Sequence, residues 1–192
     1  MDTNRPKLKQ PIPGNAEKVF EGKLFSVFQW PQKLYNGKIV TFEALSRPDS
    51  VNVLPITADN KIILAEQQQP GMKPFIGALG GRVDEGEDPL VAAKRELLEE
   101  SGLIAEEYIL WQGVHIAEKL DWVLWTFVAK QCTPSVQNHV NGGEKIKLIE
   151  VTFDEYMTII AQENYRDSDI AFELLKLQAR GELDQVRSLW LN

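Results

Sequence analysis

Residues 88–102 of this 192-residue chain spell a helix with both ends marked. Asp88 can cap the first turn with its side-chain oxygen, and Pro89 fits that turn because its missing N–H has no partner to lose there. Leu90, Ala93 and Leu97 recur at i, i+3 and i+7, which lays one apolar stripe along the helix. Gly102 stops it, since glycine enters the left-handed C-terminal position without a steric cost. Short apolar runs at 19–20, 24–28, 39–42, 51–57 and 61–65 precede this helix and read as strands. Asn36–Gly37 and Asp59–Asn60 are hairpin signals between them, and 67–71 is a loop. Further strands are expected at 108–111, 122–128 and 145–151, with a turn at 141–143. Helices are expected at 154–162 and 168–180, the latter closed by Gly181. Strands first and helices interspersed point to an α+β fold, a mixed sheet flanked by helices.

The composition suits one folded domain: 43% hydrophobic and 26% charged residues. Cys132 is the one cysteine, which excludes an internal disulfide and a cysteine zinc cluster and makes a reducing cytoplasm the expected home. No apolar run approaches the length of a membrane span, and the first fifteen residues read as a flexible, weakly basic tail without a signal-peptide core. The net charge of −7 argues against a nucleic-acid partner, whose phosphates need a basic face. It leaves room for a small phosphorylated substrate, because a divalent cation reverses the local sign.

The marked helix carries such a feature. Glu96, Glu99 and Glu100 fall at i, i+3 and i+4, on one face. A solvated, incidentally acidic face is the plain reading of most glutamate-rich helices. Here the three anions crowd the C-terminal half, where they oppose the helix dipole. That arrangement makes sense around a hard divalent ion such as Mg²⁺ or Mn²⁺, which prefers carboxylate oxygens and also binds phosphates. Gly77, Gly80, Gly81 and Gly86 just upstream permit tight turns and close backbone approach.

Taken together, Gly81, Glu87, Arg95, Glu96, Leu97, Glu99, Glu100, Gly102 and Leu103 match the Nudix box without a gap: Gly-x5-Glu-x7-Arg-Glu-aliphatic-x-Glu-Glu-x-Gly-aliphatic. At roughly 5–10% background usage per residue type, a chance match at nine fixed positions is negligible. The resemblance implies an α/β/α sandwich with a mixed sheet, and Mg²⁺-dependent cleavage of a diphosphate linkage, with Mn²⁺ able to substitute. It implies Glu96, Glu99 and Glu100 as metal ligands, the Gly80 carbonyl as a backbone ligand, and Glu87 as a supporting carboxylate acting directly or through water. Arg95 would orient the glutamates by ion pairing.

Over roughly residues 16–180 the chain is similar to the ADP-ribose and nucleoside-diphosphate-sugar pyrophosphatase branch of that family. This similarity implies a tail at 1–15, a small N-terminal antiparallel β segment at 16–48 and a catalytic domain at 49–192, with homodimerisation through the β segment. It also implies Glu144, in NGGEKIKLIEV, as the catalytic general base, with Glu118 and Asp121 as alternatives. Arg47, in SRPDS, is a candidate phosphate contact, and Gln69 and Gly81 are candidate substrate contacts. Trp30, Trp122, Trp125 and Phe75 could stack on a base, although strand aromatics more often serve a core. The chain departs from the branch at Gln69, where arginine is usual, and at Gly77 and Leu79, where Glu and Pro are usual. The expected substrate is ADP-ribose or a related nucleotide sugar, with GDP-mannose or another nucleotide as alternatives. A non-catalytic nucleotide-binding module is the alternative from another class.

Overall fold

The computed structural model describes residues 4–136 and 145–191. In chain order its elements are β1 (Glu17–Glu21), β2 (Ser26–Lys33), β3 (Ile39–Ser46), β4 (Ser50–Thr57), β5 (Ile62–Gln68), β6 (Phe75–Gly77), β7 (Leu79–Arg82), α1 (Pro89–Ser101), β8 (Leu103–Ile104), β9 (Glu107–His115), β10 (Leu120–Asp121), β11 (Val123–Pro134), β12 (Lys145–Val151), α2 (Phe153–Ile159), α3 (Ser168–Arg180) and α4 (Leu183–Trp190). The α+β class expected from the sequence is therefore the one observed. The strands form two sheets: a four-stranded one ordered β1-β2-β3-β10, and an eight-stranded mixed one built on β12-β5-β4-β11-β8. At the centre of the larger sheet β4 and β11 run parallel, with Val51 beside Trp125 and Val53 beside Phe127.

Alternation along these two strands divides the core. Val51 and Val53 of β4, with Val123, Trp125 and Phe127 of β11, face Ala92, Ala93 and Leu97 of α1. Leu54 and Ile56, with Val128, face the opposite layer of α2, α3 and α4. The result is a sheet with helices on both faces. In the second layer Trp190 of α4 is completely buried, its ring edge-on to Trp111 at 5.0 Å and to Phe153 at 6.0 Å.

Helix α1 begins and ends where its caps predict. Asp88 accepts a bond from the Leu90 N–H at 2.8 Å, and Gly102 takes the left-handed conformation. Helix α2 starts one residue before the expected position, where Thr152 and Glu155 form a reciprocal capping box, and it ends at Ile159, earlier than expected. The hairpins at Asn36–Gly37 and Asp59–Asn60 are present, with Gly37 and Asn60 at positive φ. The N-terminal stretch, expected to be a loose tail, is tied down. Arg5 makes a forked bond to Asp49 at 2.9 and 3.0 Å and an ion pair with Asp121 at 2.8 Å, and Leu8 is buried.

Candidate active site

Strand β7 and helix α1 bring the box residues together. Gly80 pairs with Asn52 and Gly81 with Val51 on β4. Gly80 has φ +152°, and a Cβ there would overlap the Val51 carbonyl oxygen, so only glycine lets β7 lie so close. A Cβ on Gly81 would overlap the Glu96 carboxylate in the same way. The glycine pair thus makes room for the acids of α1.

Arg95 organises those acids. Its Nη1 donates to Glu96 at 2.7 Å and to Glu99 at 3.3 Å, and its Nε and Nη2 reach Glu87, each at 3.0 Å. Glu96 is enclosed, its side chain 12% exposed, whereas that of Glu99 is 57% exposed. Burial pushes the Glu96 carboxyl above its ordinary range, against the pull of Arg95. Glu87 goes the other way, held down chiefly by its hydrogen bonds from Arg95. Glu100 Oε2 accepts the Gly80 N–H at 2.8 Å.

All of these acids are hard oxygen donors, which suits Mg²⁺ or Mn²⁺. Among the described residues no three such side chains already stand at metal-ligand spacing. The reason lies in the contacts above, since Glu96 and Glu99 are drawn to Arg95 while Glu100 is drawn to the Gly80 backbone. The donor chemistry fits a divalent ion, and the Glu96 carboxylate stands directly against the bare Gly81 backbone.

Beside Gly80, Gly81 and Glu100 opens a cleft of about 410 Å³. At one end stand Arg47 and Arg82. The Arg47 guanidinium lies over the Trp122 ring, 4.4 Å from its centroid, with Phe25 at 5.7 Å. Burial and the charge of Arg82 both lower the Arg47 pKa, so the two cations sit close enough to repel, and an anion between them relieves that repulsion. At the other end the cleft is acidic. Asp167 accepts the Ala78 N–H at 2.6 Å, and Asp169 accepts from Gln112 at 3.1 Å. Burial raises both acids, Asp167 to about 7, with Asp169 adding to the rise. Arg166 lies 4.7 Å from the Phe75 ring centroid at this same end.

Residues 46–172 match the family described as the NUDIX domain. The chain belongs to the Nudix family. This Nudix hydrolase is 32% identical over 169 residues to the methanol dehydrogenase activator of Bacillus methanolicus, covering 85% of this chain and 91% of that protein. It is 25% identical over 170 residues to the ADP-ribose pyrophosphatase of Bacillus subtilis strain 168, covering 87% and 92% respectively. The branch inferred from the sequence is thus represented among its relatives. A solved structure described as an ADP compounds hydrolase superposes with a TM-score of 0.70 over 92% of this chain and 99% of its own. At 22% identity that likeness speaks to the fold.

The Nudix cleft gathers some of the residues picked from sequence and leaves others aside. Arg47, Gln69, Gly80, Gly81 and Glu100 line it, whereas Glu87, Arg95, Glu96 and Glu99 form the ion-paired cluster beside it. Glu144 lies outside the described residues. Of the alternative bases, Asp121 is engaged by Arg5, and Glu118 is exposed. Trp30 and Trp125 are core residues, while Trp122 and Phe75 line the cleft. Asp167 and Asp169 carried no signal in the sequence. They gain meaning only from the packing of α3 against β6 and β9. A Cβ on Gly77 would come within 2.9 Å of Asp167 Oδ2, so the missing side chain at residue 77 is what admits this carboxylate.

Among the described residues no helix is long and apolar enough to cross a membrane.

Proposed function

We propose that the enzyme is a Mg²⁺-dependent hydrolase of a nucleoside diphosphate linked to a second group X, with ADP-ribose or a related nucleotide sugar as the expected class. The observation that carries the reading is the meeting, in one cleft, of box residue Glu100 and the Gly80–Gly81 strand with the two cations Arg47 and Arg82. The relative named as an ADP-ribose pyrophosphatase supports the substrate class.

Glu96, Glu99 and Glu100, with the Gly80 carbonyl, would hold the metal. Mg²⁺ supplies charge neutralisation at the phosphate oxygens and a more acidic bound water. Arg95 holds Glu96 and Glu99 by ion pairing beside that position, and Glu87 fixes Arg95. Arg47 and Arg82 bind the non-bridging phosphate oxygens. Glu144 is the proposed base that takes the proton from water. The water oxygen bonds to one phosphorus, the P–O bond to the bridging oxygen breaks, and the leaving phosphate of X carries off the electron pair. The products are a nucleoside monophosphate and a phosphorylated X. Positioning and electrostatics account for most of the rate.

Homodimerisation through residues 16–48 remains our proposal. Its support is the exposed apolar set of Val19 and Phe20 on β1, Leu24 and Phe25 in the turn that follows, and Ile39 and Val40 on β3. A cytoplasmic location is likewise proposed, on the strength of a single cysteine that is buried and unpaired.

The test is incubation of purified enzyme with Mg²⁺ and ADP-ribose, GDP-mannose, UDP-glucose or a nucleoside triphosphate, with products separated by chromatography. AMP plus ribose 5-phosphate from ADP-ribose, abolished by EDTA and restored by Mg²⁺ or Mn²⁺, is the expected result. Failure to cleave any diphosphate with either ion would overturn the reading.

A further inference from the structure

The cationic end of the cleft is mounted on two segments of chain. One is 47–50, which leads into β4, and the other is 120–123, which runs from β10 into β11. Arg47 comes from the first and Trp122 from the second. The Ser50 hydroxyl ties their stack together, accepting from Arg47 Nη2 and from Trp122 Nε1, each at 3.2 Å. The Arg47 N–H donates to the Asp121 carbonyl at 3.2 Å, so the two backbones are joined as well.

Arg5 reaches both segments from the N-terminal stretch. Its Nη2 lies 2.9 Å from Asp49 and 2.8 Å from Asp121. Asp49 stands two residues after Arg47, and Asp121 stands directly before Trp122. One nitrogen therefore bridges the segments beside each member of the stack.

The two carboxylates differ in what else holds them. Asp49 also accepts the Val123 N–H at 2.9 Å and Trp125 Nε1 at 3.2 Å, and its carbonyl accepts the Val83 N–H at 2.9 Å. It is fixed to β11 and to the chain just after β7. Asp121 Oδ1 is buried without a well-aligned hydrogen bond among the described residues, and the Arg5 charge is what compensates it.

Two carboxylates that share one cation repel when the cation is removed. Asp49 is held on several sides, so Asp121 is the one free to move, and Trp122 moves with it. The charge of Asp49 is also felt at Arg47: burial and Arg82 lower the Arg47 pKa, and Asp49 works the other way. Without Arg5, an uncompensated Asp49 competes with a phosphate for Arg47.

We propose that Arg5 is a positioning residue for the cleft, which neutralises Asp49 and Asp121 together and so keeps Arg47 stacked on Trp122 and available to a phosphate. The inference rests on the reading of Arg47 as a phosphate contact. Arg5 acts through the two aspartates and does not itself line the cleft.

The experiment measures Mg²⁺-dependent turnover of ADP-ribose, and calorimetric binding of ADP in EDTA, for the wild type, Arg5→Met, Arg5→Met/Asp121→Asn and Lys7→Met. Methionine keeps an unbranched side chain and removes the charge. Lys7, exposed on the same stretch, controls for the loss of one positive charge. The expected result for Arg5→Met is a KM and an ADP dissociation constant each raised about fivefold or more, with kcat within about twofold. A residue that only pinned the N-terminal stretch would lower the melting temperature and leave both constants alone. Arg5→Met/Asp121→Asn recovers most of the loss, because the repulsion is gone, and Lys7→Met matches the wild type. Unchanged constants in Arg5→Met, or a double variant no better than the single one, overturn the inference while leaving diphosphate hydrolysis standing. If the wild type binds ADP but leaves ADP-ribose intact, the hydrolysis reading suffers and the ADP constants still decide the role of Arg5. A wild type that neither cleaves ADP-ribose nor binds ADP removes Arg47 as a phosphate contact, and this inference with it.

Discussion

Arg95 grips both oxygens of Glu87, Nε to Oε1 and Nη2 to Oε2, each at 3.0 Å. The same guanidinium also reaches Glu96 through Nη1, so one cation sets the direction of two acids on opposite sides of itself. A lysine cannot form that fork. Arg95→Lys should lower kcat by roughly tenfold or more, in line with a loss of about 1.5–3 kcal/mol for hydrogen bonds to charged groups. It should also raise the Mg²⁺ concentration needed for half-maximal rate, while the substrate KM stays within a few-fold. A Mg²⁺ titration of the variant showing wild-type behaviour would remove Arg95 from its positioning role.

Glu96→Gln and Glu100→Gln preserve shape and remove charge. Each should reduce turnover by about a hundredfold or more, the scale seen when one electrostatic stabiliser is deleted. Far-UV circular dichroism should stay unchanged, because neither carboxylate belongs to a core cluster. Near-normal rates in either variant would sink the metal assignment.

The two glycines of β7 should respond differently to alanine. At Gly80 the obstacle is the Val51 carbonyl of the neighbouring strand, which cannot move without breaking the sheet. Gly80→Ala should therefore cost more than about 2 kcal/mol of stability. At Gly81 the obstacle is the flexible end of Glu96. Gly81→Ala should melt close to the wild type yet lose most of its activity, since Glu96 must swing away. Thermal melts paired with turnover assays separate the two outcomes.

Asp167 makes a prediction about pH. Burial raises its carboxyl from about 3.8 to about 7 in the folded state. The native protein holds a proton that the unfolded chain has already released, so this group favours folding below pH 4. That contribution fades as pH rises toward 7. Asp167→Asn can still accept the Ala78 N–H and carries no charge. The variant should match the wild type at pH 5 more closely than at pH 8, where it should melt at the higher temperature. Equal differences at both pH values in matched melting curves would show that Asp167 is not the titrating group.

Helix α1 was legible because its signals are local: a capping aspartate, an early proline, a three-residue stripe and a terminal glycine all lie within fifteen residues. The same holds for the hairpins at Gly37 and Asn60. Strands β6 and β7 were not legible, since Phe75–Gly77 and Leu79–Arg82 are short, glycine-rich and pair only because β5 and β4 are already in place. Helix α4 has no side-chain cap bond and just eight residues, so little in Leu183–Trp190 announces it. The box acids could be found from spacing, whereas Asp167 and Asp169 depend on how a distant helix meets the sheet. The anchoring of Arg5 was hidden for a similar reason: its partners Asp49 and Asp121 are far along the chain.

Trp190 fills the space between Trp111, Phe153 and Tyr156, in a core layer whose sheet side comes from Leu54, Ile56 and Leu64. A chain made from its N-terminus forward therefore carries the apolar face of β4 and β5 without its full cover until α4 has been added. Contacts this distant in sequence close slowly and expose strand edges while they wait. Until that layer closes, the half-covered sheet is the part of a growing chain most exposed to wrong contacts.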